Sequence, residues 1–192
     1  MQKSFSLPLN SSVLIGGSRS ALPGAVPGSF LHDLIVHSHR LHVGCATGAD
    51  RQVISFVHSF RPSILPALRV FAAFSQSGAG SFSGSAVSSV QSFAAAGGWV
   101  SWLAGGSLSV PLVARLMSRS LATLQGCAAA VFFQPGVGSL KVARAALKQG
   151  IPVLVCQQGC PVAPVLAVPP VVVSWFGMSF WLYQPAIQSA LF

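Results

Sequence analysis

The sequence predicts a single α/β domain with a Rossmann-like fold, in which a mostly parallel, twisted sheet of about six or seven strands has helices on both faces. Apolar runs of strand length alternate with stretches of helical periodicity, and this order is typical of parallel sheets covered by helices. Glycine-containing turns follow three of the predicted strands and precede predicted helices. The 192 residues suffice for one well-packed domain and are few for two. We therefore assign residues 1–192 to one domain, with its core at about 12–156.

The individual elements follow from local residue patterns. Residues 29–40 place four apolar side chains on one helical face. Pro111 suits the first turn of a helix, and Gly150 suits the position after a helix end. Residues 75–89 are rich in serine and glycine and predict a mobile loop. The predicted strands are 12–15, 41–44, 68–74, 99–102, 128–133, 151–155 and 171–173. The first predicted helix spans 29–40, and the second follows the 44–51 turn and ends at about 60. The others lie around 86–96, from 111 to about 124, and before a C-terminal end at 149.

The chain is both apolar and strongly basic. Apolar residues make up 52% and charged residues 7%, with eleven lysines and arginines against two acids and a net charge of +9. Such a charge favours a polyanionic partner or an anionic ligand; the alternative is that it only keeps an apolar chain in solution. Because Asp33 and Asp50 are the only acids, paired-carboxylate hydrolysis and two-metal phosphoryl chemistry are disfavoured.

Metal, cofactor and membrane signals are weak. The four cysteines include one close pair, Cys156 and Cys160, without a nearby histidine, which indicates structural thiols in a reducing cytoplasm. The five histidines are scattered, and we predict no metal site and no cofactor. Residues 162–183 have the hydropathy of a membrane span, but prolines interrupt them. We expect a buried strand and an oligomer interface within 157–192, with a membrane anchor as the less favoured alternative.

Three glycine-containing loops carry the predicted chemistry. They follow the first, second and fifth predicted strands, and the carboxyl ends of parallel strands meet at one edge of a sheet. Backbone N–H groups of small residues and helix N-termini bind anions there, and serine, threonine and arginine side chains add donors and charge. No loop has the G-x-G-x-x-G or P-loop pattern. The predicted phosphate-binding residues in these loops are Gly16, Gly17, Ser18, Arg19, Ser20, Thr47, Gly48, Ala49, Asp50, Arg51, Gly136, Gly138, Ser139 and Leu140.

The order of several motifs resembles the SLOG superfamily, which includes the DNA-processing protein A (DprA, or Smf) family and the LOG-type nucleotide hydrolases. The motifs are GGSRS at 16–20, VGCATGAD at 43–50, RS at 119–120 and GSLKVARAALKQGIPVLV at 138–155. The second and last motifs are similar to the S-G-x-A-x-G-x-D and S-G-S-L-x-x-A patterns of the DprA-like branch. The resemblance covers residues 12–156, with a divergent middle.

The resemblance implies a phosphate-binding pocket at the carboxyl edge of the sheet and, for DprA-like members, binding of single-stranded DNA and self-association. Two departures qualify it. Arg119 is followed by Ser120 where DprA-like proteins have asparagine. In the LOG-type pattern, Val142 stands where the catalytic glutamate would be, so we predict no N-glycosidic hydrolysis.

Several charged residues have two interpretations. Arg115 and Arg119 lie at i, i+4 on one helical face and are predicted as a phosphate clamp, the alternative being a solvated face. Asp50 is either a helix-capping residue or a hydrogen-bond acceptor for a ribose or a base. A basic stripe on the last helix is either solvated or follows a nucleic-acid backbone; it comprises Lys141, Arg144 and Lys148.

These observations give three hypotheses for the function. The first is a non-enzymatic, homo-oligomeric protein that binds single-stranded nucleic acid, DNA in the first instance, by its phosphates. The second is a sensor or carrier of a small nucleotide that uses the same pocket. The third, an enzyme acting on a nucleotide, is the least favoured because the chain has so few carboxylates.

Overall fold

The computed structural model describes residues 3–60 and 62–185, which form an α/β structure. The strands are β1 Lys3–Ser4, β2 Ser12–Gly17, β3 Arg40–Val43, β4 Leu68–Phe71, β5 Trp99–Ser101, β6 Cys127–Phe133, β7 Val153–Cys156, β8 Val171–Trp175 and β9 Met178–Tyr183. The α-helices are α1 Gly28–Val36, α2 Ala49–Phe60, α3 Gly84–Ala95, α4 Leu112–Ala122 and α5 Val137–Lys148, and a 3-10 helix spans Pro62–Ala67.

All nine strands of the described residues belong to one sheet, in the order β1-β8-β9-β7-β6-β2-β3-β4-β5. Strand β9 is antiparallel to both of its neighbours, β7 and β8, and the other pairs are parallel. The prediction of a mostly parallel, Rossmann-like α/β fold is confirmed. The sheet has more strands than predicted, because β1 and β9 were not expected.

Helices cover both faces of the sheet, and β6 shows how. Its Ala129, Val131 and Phe133 belong to one buried cluster, together with apolar side chains of α1, α2 and α3. The alternate residues Ala130 and Phe132 belong to a second cluster, with apolar side chains of α5. This alternation is what a strand buried on both faces requires, because successive side chains point to opposite sides of a sheet.

Some predicted boundaries are corrected. The first helix ends at Val36 rather than at residue 40, because Ser38 has a left-handed φ of 62° and Arg40 already pairs in β3. Helix α3 begins at Gly84, within the stretch predicted as a loop, because the Ser83 hydroxyl accepts a hydrogen bond from the backbone N–H of Ala86 and caps the helix.

The apolar C-terminal residues form β8 and β9, an antiparallel hairpin within the sheet. None of the helices among residues 3–60 and 62–185 is both long enough and apolar enough to cross a membrane. The last part of the predicted C-terminal interface region, 186–192, lies outside the described residues.

The strand order places the three glycine-containing loops together. Strands β6, β2 and β3 are neighbours and parallel, and each loop follows the carboxyl end of one of them. Gly16 and Gly17 pair with Phe132 and Phe133, so β2 and β6 end at the same level. The loops therefore meet at one edge of the sheet, as expected for parallel strands.

Candidate functional site

A cavity of about 490 Å³ lies where the three loops meet. This volume is in the range of small-molecule sites, about 300–1,000 Å³. Its lining combines residues of the three loops with apolar residues of α4 and with Phe82. The predicted residues that line the cavity are Gly16, Gly17, Ser18, Arg19, Asp50, Arg119, Gly136, Gly138 and Ser139.

The other predicted residues do not line this cavity, and several of them hold the loops together instead. The Thr47 hydroxyl donates to the Arg19 carbonyl at 3.1 Å, and the Ala49 N–H donates to the Ser18 carbonyl at 3.2 Å. At Gly48, φ is +69° and a Cβ would collide with the Ser18 carbonyl, so only glycine fits. The predicted residues outside the lining are Ser20, Thr47, Gly48, Ala49, Arg51, Arg115 and Leu140.

The first and third loops are joined in the same way. The Ser18 N–H donates to the Gln134 carbonyl at 3.2 Å, and the Ser139 hydroxyl donates to the Gly17 carbonyl at 2.6 Å. The Ser20 N–H donates to the Ser18 hydroxyl at 3.1 Å. These donors, which the sequence predicted to be available to a ligand, instead fix the shape of the loops.

The N-terminus of α5 opens on the cavity, which its first residues Val137, Gly138 and Ser139 line. The N-cap residue Gly136 makes no side-chain cap hydrogen bond. The first N–H groups of a helix have no acceptor within the helix and carry a partial positive charge. This end of the cavity is therefore suited to an anion.

A buried ion pair contributes to the lining of the cavity. The Nη1 of Arg119 lies 3.5 Å from Oδ2 of Asp50, and the two side chains are 9% and 10% exposed. The same carboxylate oxygen accepts a hydrogen bond from the Ala46 N–H at 3.0 Å. Burial raises the pKa of Asp50 above its ordinary value, and the Arg119 guanidinium opposes that rise.

Arg119 is held closely yet has an unused donor. A Cβ at position 44 would overlap its guanidinium, so Gly44 makes room for the side chain. Its Nε is buried and has no hydrogen-bond partner among the described residues. A ligand in the cavity would contact the part of the Arg119 side chain that remains accessible, which is 9% of it.

Arg115 differs from the prediction of a phosphate clamp. Its guanidinium is buried and donates to the carbonyls of Ala73, Gly80 and Val110 at 2.7, 3.1 and 3.0 Å. These acceptors belong to the segments before α3 and α4, so Arg115 fixes those segments to α4. The i, i+4 spacing correctly placed both arginines on one side of the helix, but it could not show which carbonyls would surround Arg115.

Sequence reasoning did not assign several residues that line the cavity. Phe82 is the main one, and the Cζ of Arg19 lies 5.6 Å from the centre of its ring. A single aromatic residue within a serine- and glycine-rich loop was the available signal. Ser120, which follows Arg119, donates its hydroxyl to the Leu116 carbonyl within α4 at 2.8 Å. The apolar wall from α4 comprises Leu112, Val113, Leu116 and Met117.

The buried thiols and imidazoles do not line the cavity. Burial raises the pKa of the Cys127 thiol to about 12, so it is a poor nucleophile at neutral pH. The Nδ1 of His42 lies 3.4 Å from the Cys127 Sγ, and burial lowers the pKa of His42. No group of three potential metal ligands occurs among the residues that the structure describes.

No protein-family model and no curated protein matches the chain. The resemblance to the SLOG superfamily therefore remains a prediction from motifs. The site is defined by the groups that line one cavity: a helix N-terminus without a side-chain cap, the buried Arg119–Asp50 pair and several apolar side chains.

Proposed function

We propose that this protein binds a small nucleotide by its phosphate group in the cavity between the three loops and α4. One observation carries the proposal: Arg119, whose charged side chain is nine-tenths buried, lines the same cavity as the N-terminus of α5, which has no side-chain cap. A phosphate group supplies acceptors for both, since guanidinium groups and helix N-termini are the usual phosphate ligands in proteins.

Charge and shape support a nucleotide rather than inorganic phosphate alone. Arg19, Arg119 and Lys141 line the cavity, against one carboxylate, Asp50. Much of the remaining lining is apolar and comes from β2, β6, α4, α5 and Phe82. A cavity lined by both basic and apolar side chains suits a ligand that has a phosphate and a less polar body.

We propose binding without hydrolysis of the nucleotide. Asp50 is engaged by Arg119 and by the Ala46 N–H. The other acid of the chain, Asp33, is partly exposed on α1 beside His32. Val142, at the position that the resemblance gives to a catalytic glutamate, lines the cavity with an apolar side chain. A general acid or base for glycosidic cleavage is therefore lacking among these groups.

The test is calorimetric titration of the full chain with adenosine 5′-monophosphate, supported by thermal unfolding with the same compound. We expect binding in the wild type and weaker binding by at least about tenfold in Arg19→Met, because one charge-assisted contact is worth about 1.5–3 kcal/mol. Arg19 is exposed, so this change leaves folding intact. The matched control is Arg40→Met, at the opposite edge of the sheet where β3 begins.

The proposal is wrong if the wild type binds neither adenosine monophosphate nor inorganic phosphate. It is also wrong if Arg40→Met weakens binding as much as Arg19→Met, because the effect would then be one of total charge. Arg119→Lys provides a second variant. It keeps a positive charge near Asp50 but loses the two-pronged guanidinium, so we expect weaker binding with a folded domain.

Single-stranded DNA is the second candidate ligand, and the surface of α5 favours it. Lys141 lies at the cavity, and Arg144 and Lys148 continue along the exposed face of the helix. A strand with one phosphate in the cavity could follow this stripe. The distinguishing measurement is a mobility-shift titration with single-stranded DNA, RNA and duplex. Binding of single strands with an affinity that falls steeply as salt is added supports this candidate. If single strands do not bind, the small nucleotide is the favoured ligand.

We also propose a cytoplasmic location and self-association. All four cysteines are free thiols, which supports a reducing compartment. Exposed valines in the C-terminal part support an interface between copies, namely Val162, Val165, Val171 and Val172. Light scattering after size-exclusion chromatography is the test, and a monomer at every concentration would contradict self-association.

A further inference from the structure

We propose that Phe82 determines the specificity of this site, by stacking against the base of the bound nucleotide. The inference rests on the proposed phosphate-binding function and extends it, because it restricts the ligand to phosphate compounds that carry a planar base. A sugar phosphate without a base would meet the same phosphate-binding groups but would not stack against Phe82.

The first observation is that Phe82 is available to a ligand. It lines the cavity and is partly exposed. It is not among the apolar residues that pack against the two core clusters of the described residues. An aromatic ring that adds little to the core yet faces a cavity with phosphate-binding groups is in the position of a stacking platform.

The second observation is that Arg19 links the ring to the phosphate-binding end. Its Cζ lies 5.6 Å from the centre of the Phe82 ring, within the range of a cation–π contact. Arg19 follows Ser18 in the first loop, and both line the cavity. If the phosphate of a ligand contacts Arg19, the group attached to that phosphate is therefore close enough to reach Phe82.

The third observation is that the segment carrying Phe82 is fixed in place. On one side, the buried Arg115 donates to the carbonyls of Ala73 and Gly80. On the other side, Ser83 caps α3. A ring held between two anchors loses little conformational freedom when a ligand binds, so its contact contributes more to affinity. Arg115 is thus a positioning residue for Phe82.

Other apolar side chains of the cavity suit a flat group as well. Leu116 and Met117 of α4 line the cavity with Phe82. An aromatic ring and apolar side chains in one cavity suit a nucleobase, whose two faces are apolar while its edge is polar. Every base has such a face, so these side chains favour a base without selecting one of them.

The experiment compares two probes that share a sugar and a phosphate: adenosine 5′-monophosphate and ribose 5-phosphate. Their dissociation constants are measured by calorimetric titration for the wild type, Phe82→Leu, Phe82→Tyr and the control Phe60→Leu. Phe60 is an exposed ring at the end of α2, outside the cavity lining. Leucine keeps an apolar side chain at position 82 but removes the aromatic face, and tyrosine retains that face.

We expect the wild type to prefer adenosine monophosphate by about tenfold, the lower part of the range for base stacking on an aromatic side chain. Phe82→Leu should lose most of this preference, because its affinity for adenosine monophosphate falls more than its affinity for ribose 5-phosphate. Phe82→Tyr and Phe60→Leu should keep it. A purely structural role of Phe82 would instead weaken both probes together.

Two results would overturn the inference and leave phosphate binding intact. One is equal affinity of the wild type for the two probes, a comparison that needs no variant to fold. The other is a preference that survives in Phe82→Leu. If neither probe binds the wild type, the proposed function fails and the inference fails with it.

Discussion

Replacing Asp50 by asparagine separates the two roles of the buried ion pair, stability and anion binding. Asparagine keeps an oxygen that accepts from the Ala46 N–H but removes the charge that faces Arg119. Because both side chains are about nine-tenths buried, the guanidinium is left without a counter-charge. Breaking such a pair from one side costs about 3–5 kcal/mol. The 3.5 Å separation exceeds that of a charge-assisted hydrogen bond, and burial, which raises the pKa of Asp50, already disfavours its charged form. We therefore expect a loss near the lower end, about 3 kcal/mol.

The assay is urea unfolding at pH 7, with and without phosphate. Asp50→Asn should have a lower midpoint with an unchanged m-value. Phosphate should stabilise the variant more than the wild type, because the anion replaces the missing carboxylate beside Arg119. Phosphate at a hundred times its dissociation constant would raise the free energy of unfolding of the variant by about 2.7 kcal/mol. A loss below about 1 kcal/mol, or equal stabilisation of both proteins by phosphate, would refute this reasoning.

Three further predictions concern other parts of the molecule. Gly44→Ala should weaken phosphate binding and lower the unfolding midpoint, since a Cβ there overlaps the guanidinium of Arg119. The control Gly84→Ala has nothing near its added Cβ, so its phosphate affinity and unfolding midpoint should stay those of the wild type. Arg115→Met should lower the free energy of unfolding by about 3 kcal/mol, because it leaves three carbonyls without their donor. It should also speed the hydrogen exchange of residues 75–83, and unchanged exchange would contradict the anchoring role of Arg115. Burial lowers the pKa of His42 in the folded state, so the unfolded chain binds the proton more readily and stability falls as the pH drops through about 6.5. His42→Gln should show a shallower loss of stability between pH 7 and 5.5, and an identical pH profile would exclude this residue as the cause.

The sequence indicated the centre of the fold well, because each central strand is an apolar run followed by a glycine-containing turn. The two strands that were not expected carry weaker signals. β1 has two residues, too few for any periodicity. β9 lies in a long apolar stretch whose division into two strands depends on the turn at Phe176 and Gly177, where φ is positive at both residues.

The site was predictable where it depends on backbone and less so where it depends on side-chain partners. The turns at the ends of β2, β3 and β6 converge because parallel strands require it. The different surroundings of Arg115 and Arg119 were not predictable, because the same residue type lies one turn apart on one helix. Only the three-dimensional positions of Ala73, Gly80 and Asp50 distinguish an arginine bonded to carbonyls from one that lines the cavity.

The pairing of β1 with β8 has a consequence for the order of folding. Lys3 and Val173 are partners in the sheet although nearly the whole described chain lies between them. During synthesis the first strand has no partner until β8 has left the ribosome, whereas β2 to β5 can assemble earlier. Closing this outer edge is therefore a late step, and until then the ribosome-bound chain exposes the unpaired backbone of β1 to chaperones or to neighbouring chains.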